Sequence, residues 1–392
     1  MQDANQSPGD GTPRDAAPDD ATPRVDAPVD ATPFAPPPHA FEPPPFDPIA
    51  RAADEKALVT WLALVLLGGV AALALGLAEL GALGALAGIF AVSHAADRDA
   101  RWVPLHQSLA WTVPVGGCVL FASLVMVPFE DPTGGWTRLL AIGFAGLGAV
   151  ACLATWPTPA AAAVARVLFR VPEPGRTVRL TARLVLMALL FCVPGWYLVA
   201  RDPDLLLAQD ELLGAGSLWG GLIGMTMLAF GGVGFLVRRD LRGTLERLGV
   251  VVPRPRDLIV IVLGVAFLFL MNGGAEALQR RWFPELWASD QRVNTMLAGR
   301  LSRAEAVLLG VSAGVGEELS MRGGLQPRLG LVLTSLVFAA LHVQYSWLGM
   351  AVILALGLTL GAVRRRTNTT VAILIHALYD LVAVLTVDPV AA

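Results

Sequence analysis

Seven residues in the last quarter of the chain have the types and spacings of a catalytic set. Glu317 and Glu318 are adjacent, and Arg322 follows the second by four. Phe338 and His342 are also four apart, as are His376 and Asp380. All lie in, or at the end of, strongly apolar runs. A charge at the centre of a bilayer costs from ~3 to more than ~10 kcal/mol, so charged groups in such runs mark functional sites by default.

Helical spacing says which of these groups can cooperate. Residues four apart share a face, so Glu318 can pair with Arg322, and the acid-before-base order is the favourable one. Glu317 is rotated by about 100° and has Met321 below it, so the helix itself supplies it no partner. Glu318 is therefore expected to be the member of a structural ion pair, and Glu317 the free carboxylate. Each pair alone also fits a structural role, as an ion pair capping a helix end or an interfacial histidine. Their conjunction on successive apolar runs favours chemistry. If a metal takes part, Glu317, His342 and His376 would hold it in the manner of a His₂Glu zinc site. No HExxH motif is present.

The elements that must position these groups are membrane helices. Of 392 residues, 55% are hydrophobic and 16% charged, with a mean hydropathy of +0.61. That is too apolar for a soluble protein of this length. Long apolar runs occupy residues 57–77, 109–129, 139–156, 184–200, 218–237 and 258–271. A span needs about 20 helical residues. The runs lack the alternation of barrel strands, and helices are the other way to satisfy a backbone in lipid. The expected fold is all-α, a polytopic bundle of ten or eleven spans in the plasma or inner membrane. Cys118, Cys152 and Cys192 fall singly in apolar runs and read as small core residues.

Residues 1–50 are a different material. They hold thirteen of the 28 prolines and nine acidic residues against Arg14 and Arg24, a net of −7 where the whole chain is −3. Such a segment favours polyproline II and has too little apolar surface to fold, so a disordered tail is expected. It lacks the basic and apolar regions of a signal peptide. Residues 51–247 would form the N-terminal helices and 248–392 the membrane core that carries the motifs. Arginine clusters at 166–183, 238–256 and 364–366 should lie on the cytoplasmic side. With residues 57–94 as two short spans broken near Glu79, the tail is placed inside and the C-terminus outside. In the last third, apolar runs at 304–316, 329–341, 347–363 and 371–387 follow a charged connection at 279–300.

The segments Glu317-Glu318-Leu319-Ser320-Met321-Arg322-Gly323, Phe338-Ala339-Ala340-Leu341-His342 and His376-Ala377-Leu378-Tyr379-Asp380 resemble the EExxxR, FxxxH and HxxxN/D motifs. These belong to the CAAX-protease and bacteriocin-processing (CPBP, or Abi) family of intramembrane proteases, which includes the type II CAAX prenyl endopeptidases. Order and spacing match over residues 304–387, with a weaker likeness at 248–258. The resemblance implies an intramembrane endopeptidase in which Glu317 is the general base and His342 helps it hold water. His376 and Asp380 would serve the oxyanion, while Glu318 and Arg322 brace the helix. Two positions depart from the usual pattern. Met321 stands where phenylalanine is common, and Asp380 where many members have asparagine; an ionised carboxylate accepts hydrogen bonds but donates none. Asp380 would then orient His376, stay protonated or bind a metal.

The resemblance implies a peptide or membrane-protein substrate in the lipid bilayer; nucleic acid is not expected as a partner. In eukaryotic relatives the substrate is a prenylated C-terminal CaaX peptide. Nothing in these residues selects that cargo over a bacteriocin leader or a membrane-protein segment. Two other classes compete: a non-hydrolytic immunity-type or scaffold protein of the same fold, and a proton-coupled transporter relaying through Glu317, His342 and His376. The complete motif set speaks against the first, and the lack of paired repeats against the second.

Overall fold

The computed structural model describes residues 48–386, except 75, 130–134, 157, 202–214 and 300. The proline-rich tail, most of the acidic connection at 201–211 and the last six residues lie outside the described residues, and so does the expected placement of both chain ends.

The described elements are helices, with no strand among them apart from an isolated bridge between Phe235 and Arg239. In chain order they are α1 (Pro48–Ala74), α2 (Ala78–Ala96), α3 (Val103–Ala110), α4 (Thr112–Phe129), α5 (Gly135–Ala154), α6 (Thr158–Phe169), α7 (Arg176–Arg201) and α8 (Ala215–Val233). There follow α9 (Leu241–Leu248), α10 (Pro255–Trp282), α11 (Pro284–Ala298) and α12 (Arg303–Ser312). After α12 the chain winds through two π-helical segments, Ala313–Glu317 and Leu319–Leu325. Then come α13 (Gln326–Leu329), α14 (Leu331–Ala340), α15 (Trp347–Arg366) and α16 (Thr369–Thr386).

Among the described residues, nine helices are long and apolar enough to cross a membrane, and two shorter apolar helices accompany them at Pro159–Phe169 and Leu331–Ala340. The expected ten or eleven spans therefore resolve into nine of full length and two short ones. Residues 57–94 do form two helices; the break is at Gly76, whose φ of +71° suits a residue without Cβ. The outward faces are greasy, as lipid requires. On α10, Leu258, Ile259, Val262, Leu263 and Leu270 are all exposed, the last by 76%.

One expectation needs correction. The charged connection at 279–300 is almost wholly helical, because α10 continues to Trp282 and α11 follows at once from Pro284, a residue suited to the first helical turn. Its polar residues are used in packing: buried Asp290 accepts from Gln279 at 2.9 Å and from the Ser346 backbone and hydroxyl at 2.6 and 2.8 Å. These bonds pin α11 to the start of α15.

The arginine-bearing connections meet at one end of the bundle. Asp97, after α2, accepts from the Arg176 and Thr177 backbone and lies 3.8 Å from Arg238. Arg98 donates to Val237 O and Arg247 to Gly323 O. At the same end the Thr369 hydroxyl donates to Leu248 O at 2.6 Å, tying the first turn of α16 to the last of α9. The main core cluster draws on α6 (Ala165), α7 (Val185), α10 (Leu268), α14 (Phe338), α15 (Leu360) and α16 (Ile375), so the packing runs on across residue 247.

Candidate active site

The helix that carries the two glutamates begins with strong local signals. Ser302 caps α12, and Glu305 answers it in a capping box. The helix then widens into its π segments where glycines recur, at 314, 316, 323 and 324. Glycine is weakly committed to the α-conformation, and π turns inside helices occur frequently at functional sites. The expected Glu318–Arg322 pair forms although these turns are π and not α, with Arg322 Nη1 3.2 Å from Glu318 Oε1.

Two of the glycines along this helix let α16 approach backbone to backbone. A Cβ on Gly314 would sit 2.7 Å from Ala377 Cβ and 2.8 Å from its nitrogen, and one on Gly310 would sit 2.7 Å from Ala377 O. Ala377 is the neighbour of His376. The close approach therefore puts His376 Nδ1 2.9 Å from Glu318 Oε1, across 58 positions of sequence. Its Nε2 lies 3.4 Å from Asp380 Oδ2, one turn along α16.

Glu318 and Arg322 are both fully buried. Arg322 donates to Gly357 O on α15 at 3.3 Å and lies over the Phe338 ring, 4.5 Å from its centroid. The same ring lies 4.6 Å from the His342 ring at a 54° tilt and meets His376 edge-on at 6.1 Å. Phe338 is thus the shared wall of the site. The expectation that Glu318 serves a simple ion pair is too narrow, since its Oε1 bridges a guanidinium and an imidazole. Burying that carboxylate against a guanidinium and an imidazole is the arrangement in which removal of one member leaves an uncompensated charge.

Glu317 differs from its neighbour. It is half-buried and makes no hydrogen bond or ion pair with a described residue, yet it is close enough to bear electrostatically on His376, Asp380 and Tyr345. His342, also half-buried, lies 2.7 Å through Nδ1 from Phe338 O. A carbonyl only accepts, so Nδ1 carries the hydrogen and Nε2 presents a lone pair when the ring is neutral.

Sequence reasoning missed Tyr345 and Asn294. The Tyr345 hydroxyl donates to Asn294 Oδ1 at 3.0 Å, and burial, then Asp380 and other nearby acids, push the phenol's pKa up and hold it protonated. The available signal was Asp290 and Asn294 at helical spacing, hidden by taking 279–300 as a connection. Among the described residues no three His, Cys, Asp or Glu side chains gather closely enough to hold a metal ion.

Residues 300–382, which hold all seven singled-out side chains, match the family of Rce1-like type II CAAX prenyl endopeptidases. A stretch of 130 residues is 31% identical to the uncharacterized protein YpbD of Bacillus subtilis (strain 168), and covers 32% of this chain and 68% of that protein. The chain belongs to the Rce1-like family. That family is a membrane-embedded protease family, in keeping with the apolar helices described above. No solved structure matches the chain.

Proposed function

We propose that this protein is an intramembrane endopeptidase that hydrolyses a peptide bond in a membrane-associated protein or peptide. Two features of the same motif region support the proposal: a carboxylate unengaged among the described residues and an imidazole with a lone pair left at Nε2. Glu317 has no hydrogen-bond or ion-pair partner among the described residues, His342 is anchored through Nδ1 on Phe338 O, and Phe338 joins His342 to the Glu318–His376 unit.

In this proposal Glu317 takes a proton from water while His342 Nε2 accepts the water's other hydrogen. The hydroxide attacks the scissile carbonyl carbon. His376, with Glu318 against Nδ1, turns its Nε2–H from Asp380 to the oxyanion; the 3.4 Å separation from Asp380 is loose enough to release it. Collapse of the tetrahedral intermediate breaks the C–N bond, and the proton held by Glu317 passes to the leaving amine. General base catalysis of this kind contributes roughly 10²–10⁴-fold in rate, and a preset oxyanion donor ~3–4 kcal/mol. Asp380 positions His376 and is not itself the donor. The steps involve no metal, and cleavage should persist in the presence of phenanthroline or EDTA.

The test is profiling of new peptide termini in the membrane proteome with wild type and with Glu317→Ala. Termini that disappear in the variant identify substrates, and the residues around them decide whether a prenylated C-terminal peptide or another membrane segment is cut. Identical profiles at equal protein abundance would refute the proteolytic assignment.

A further inference from the structure

His342 lies in no helix. α14 ends at Ala340 and α15 starts at Trp347, so the imidazole is carried by the turn at 341–346. The ring is held to α14 through Nδ1 on Phe338 O, and its place otherwise depends on that turn. The turn closes on itself: the Tyr345 backbone donates to His342 O at 3.3 Å, which couples the two residues.

Among the described residues, the side-chain bonds that tie this turn to a helix it does not adjoin come from α11. Asp290 and Asn294 stand four apart on that helix and so share a face. Asp290 accepts from the Ser346 backbone and hydroxyl, and Asn294 Oδ1 accepts from the Tyr345 hydroxyl at 3.0 Å. Gln279 on Asp290 seats α11 in its turn. The fit is tight: a Cβ on Gly349 would lie 2.8 Å from both Asp290 Oδ2 and Tyr345 Cβ.

The two attachments differ in burial and therefore in use. Asp290 and Ser346 are buried, and Ser346 is the N-cap of α15. Losing that attachment leaves a buried carboxylate short of donors, so it fastens the fold. Tyr345 and Asn294 are half-buried and uncharged, and one neutral hydrogen bond between such groups adds little to stability. What it does fix is the turn that carries His342.

We propose that Tyr345 and Asn294 are positioning residues for His342: their bond sets the turn, and the turn places Nε2 for the water shared with Glu317. The inference rests on the hydrolytic reading above. Neither side chain touches the reacting atoms. Rates are sensitive to such placement, since a misalignment of ~1 Å can cost ~10²-fold.

The experiment assays the full chain in detergent on a peptide spanning a cleavage site found by terminus profiling. Tyr345→Phe and Asn294→Ala each delete the bond. Each should lower kcat roughly tenfold while KM stays within about twofold and the melting temperature is unchanged. The double variant should be no worse than either single one, because both remove the same bond. Asn294→Asp returns an acceptor to the Tyr345 hydroxyl and should recover kcat. A second readout does not need turnover. Diethylpyrocarbonate acylates an unprotonated imidazole nitrogen, and mass spectrometry of the labelled peptide gives its rate at His342. That rate should rise in Tyr345→Phe and Asn294→Ala and return to the wild-type value in Asn294→Asp. Wild-type kcat in both single variants overturns the assignment, as do additive losses in the double variant. So does an Asn294→Asp as poor as Asn294→Ala, or a kcat that falls only in step with melting temperature. If Glu317→Gln cuts the peptide as fast as wild type, the hydrolytic reading fails and the labelling decides alone. Rates at His342 that follow the bond then uphold its positioning by Tyr345 and Asn294, and equal rates in all four proteins overturn it.

Discussion

Glu318 Oε1 lies 2.9 Å from His376 Nδ1, and this contact joins the helix of the paired glutamates to the last helix of the bundle. The same oxygen is 3.2 Å from Arg322. Glu318 is therefore the electrostatic hinge-pin of the site, while Glu317, one residue before it, has no partner among the described residues. The two glutamates should fail in different ways when altered.

Glu317→Gln preserves size and removes the base. Cleavage of a substrate found by terminus profiling should be lost by roughly 10²-fold or more, with abundance and melting temperature unchanged. Glu318→Gln strands Arg322 and weakens the hold on His376, and leaving one member of a buried pair uncompensated costs ~3–5 kcal/mol. Its first symptom should be reduced yield and a lower melting temperature in detergent. Full turnover in Glu317→Gln, or inactivity of Glu318→Gln at wild-type stability, would contradict this division of labour.

His342→Ala should resemble Glu317→Gln, because the ring is half-buried and touches the fold chiefly through Phe338. Phe338→Ala should not. That ring is buried and contacts Arg322, His342 and His376 together, and truncating a buried phenylalanine costs ~3–5 kcal/mol. Thermal melts of the two variants side by side distinguish the roles.

Asp380→Asn should keep turnover within about tenfold, ~1.4 kcal/mol of barrier, since an amide can orient His376 and also donate. Asp380→Ala should fall well below it. A steady-state comparison of the two variants at equal abundance is sufficient. If Asn were as damaging as Ala, the carboxylate charge itself would be the requirement.

Gly314→Leu should separate α16 from the site helix. Even a Cβ at Gly314 would come within 2.7 Å of Ala377, and overpacking of a tight contact costs ~1–3 kcal/mol. Activity should fall more than stability does, because the displaced neighbour carries His376. Gly273→Ala, in open surroundings on α10, is the control.

Single cysteines at Arg242 and Arg365, in a background lacking Cys118, Cys152 and Cys192, should resist an impermeant thiol reagent in intact cells. Labelling of both from outside would reverse the orientation inferred from the arginine clusters.

Much of this was legible in the chain. Apolar runs about a helix-span long require a helical bundle, because a bilayer leaves the backbone no other local way to satisfy its polar groups. The Glu318–Arg322 pair and the shared faces of Phe338 with His342 and of His376 with Asp380 follow from helical spacing, which needs no knowledge of the neighbours. What such spacing leaves open is the register between helices. The contact of Glu318 with His376, the wall that Phe338 makes for three motif residues and the approach of Tyr345 and Asn294 depend on how closely α16 and α14 lie against the site helix and α11 against α16. That closeness is set by Gly310 and Gly314 against Ala377, and by Asp290 fastened to Ser346. Lipid tails are as apolar as leucine, so the hydrophobic effect drives a span into the membrane without choosing which of its faces meets a neighbour; small residues and buried polar bonds make that choice, and it exists only in the folded molecule.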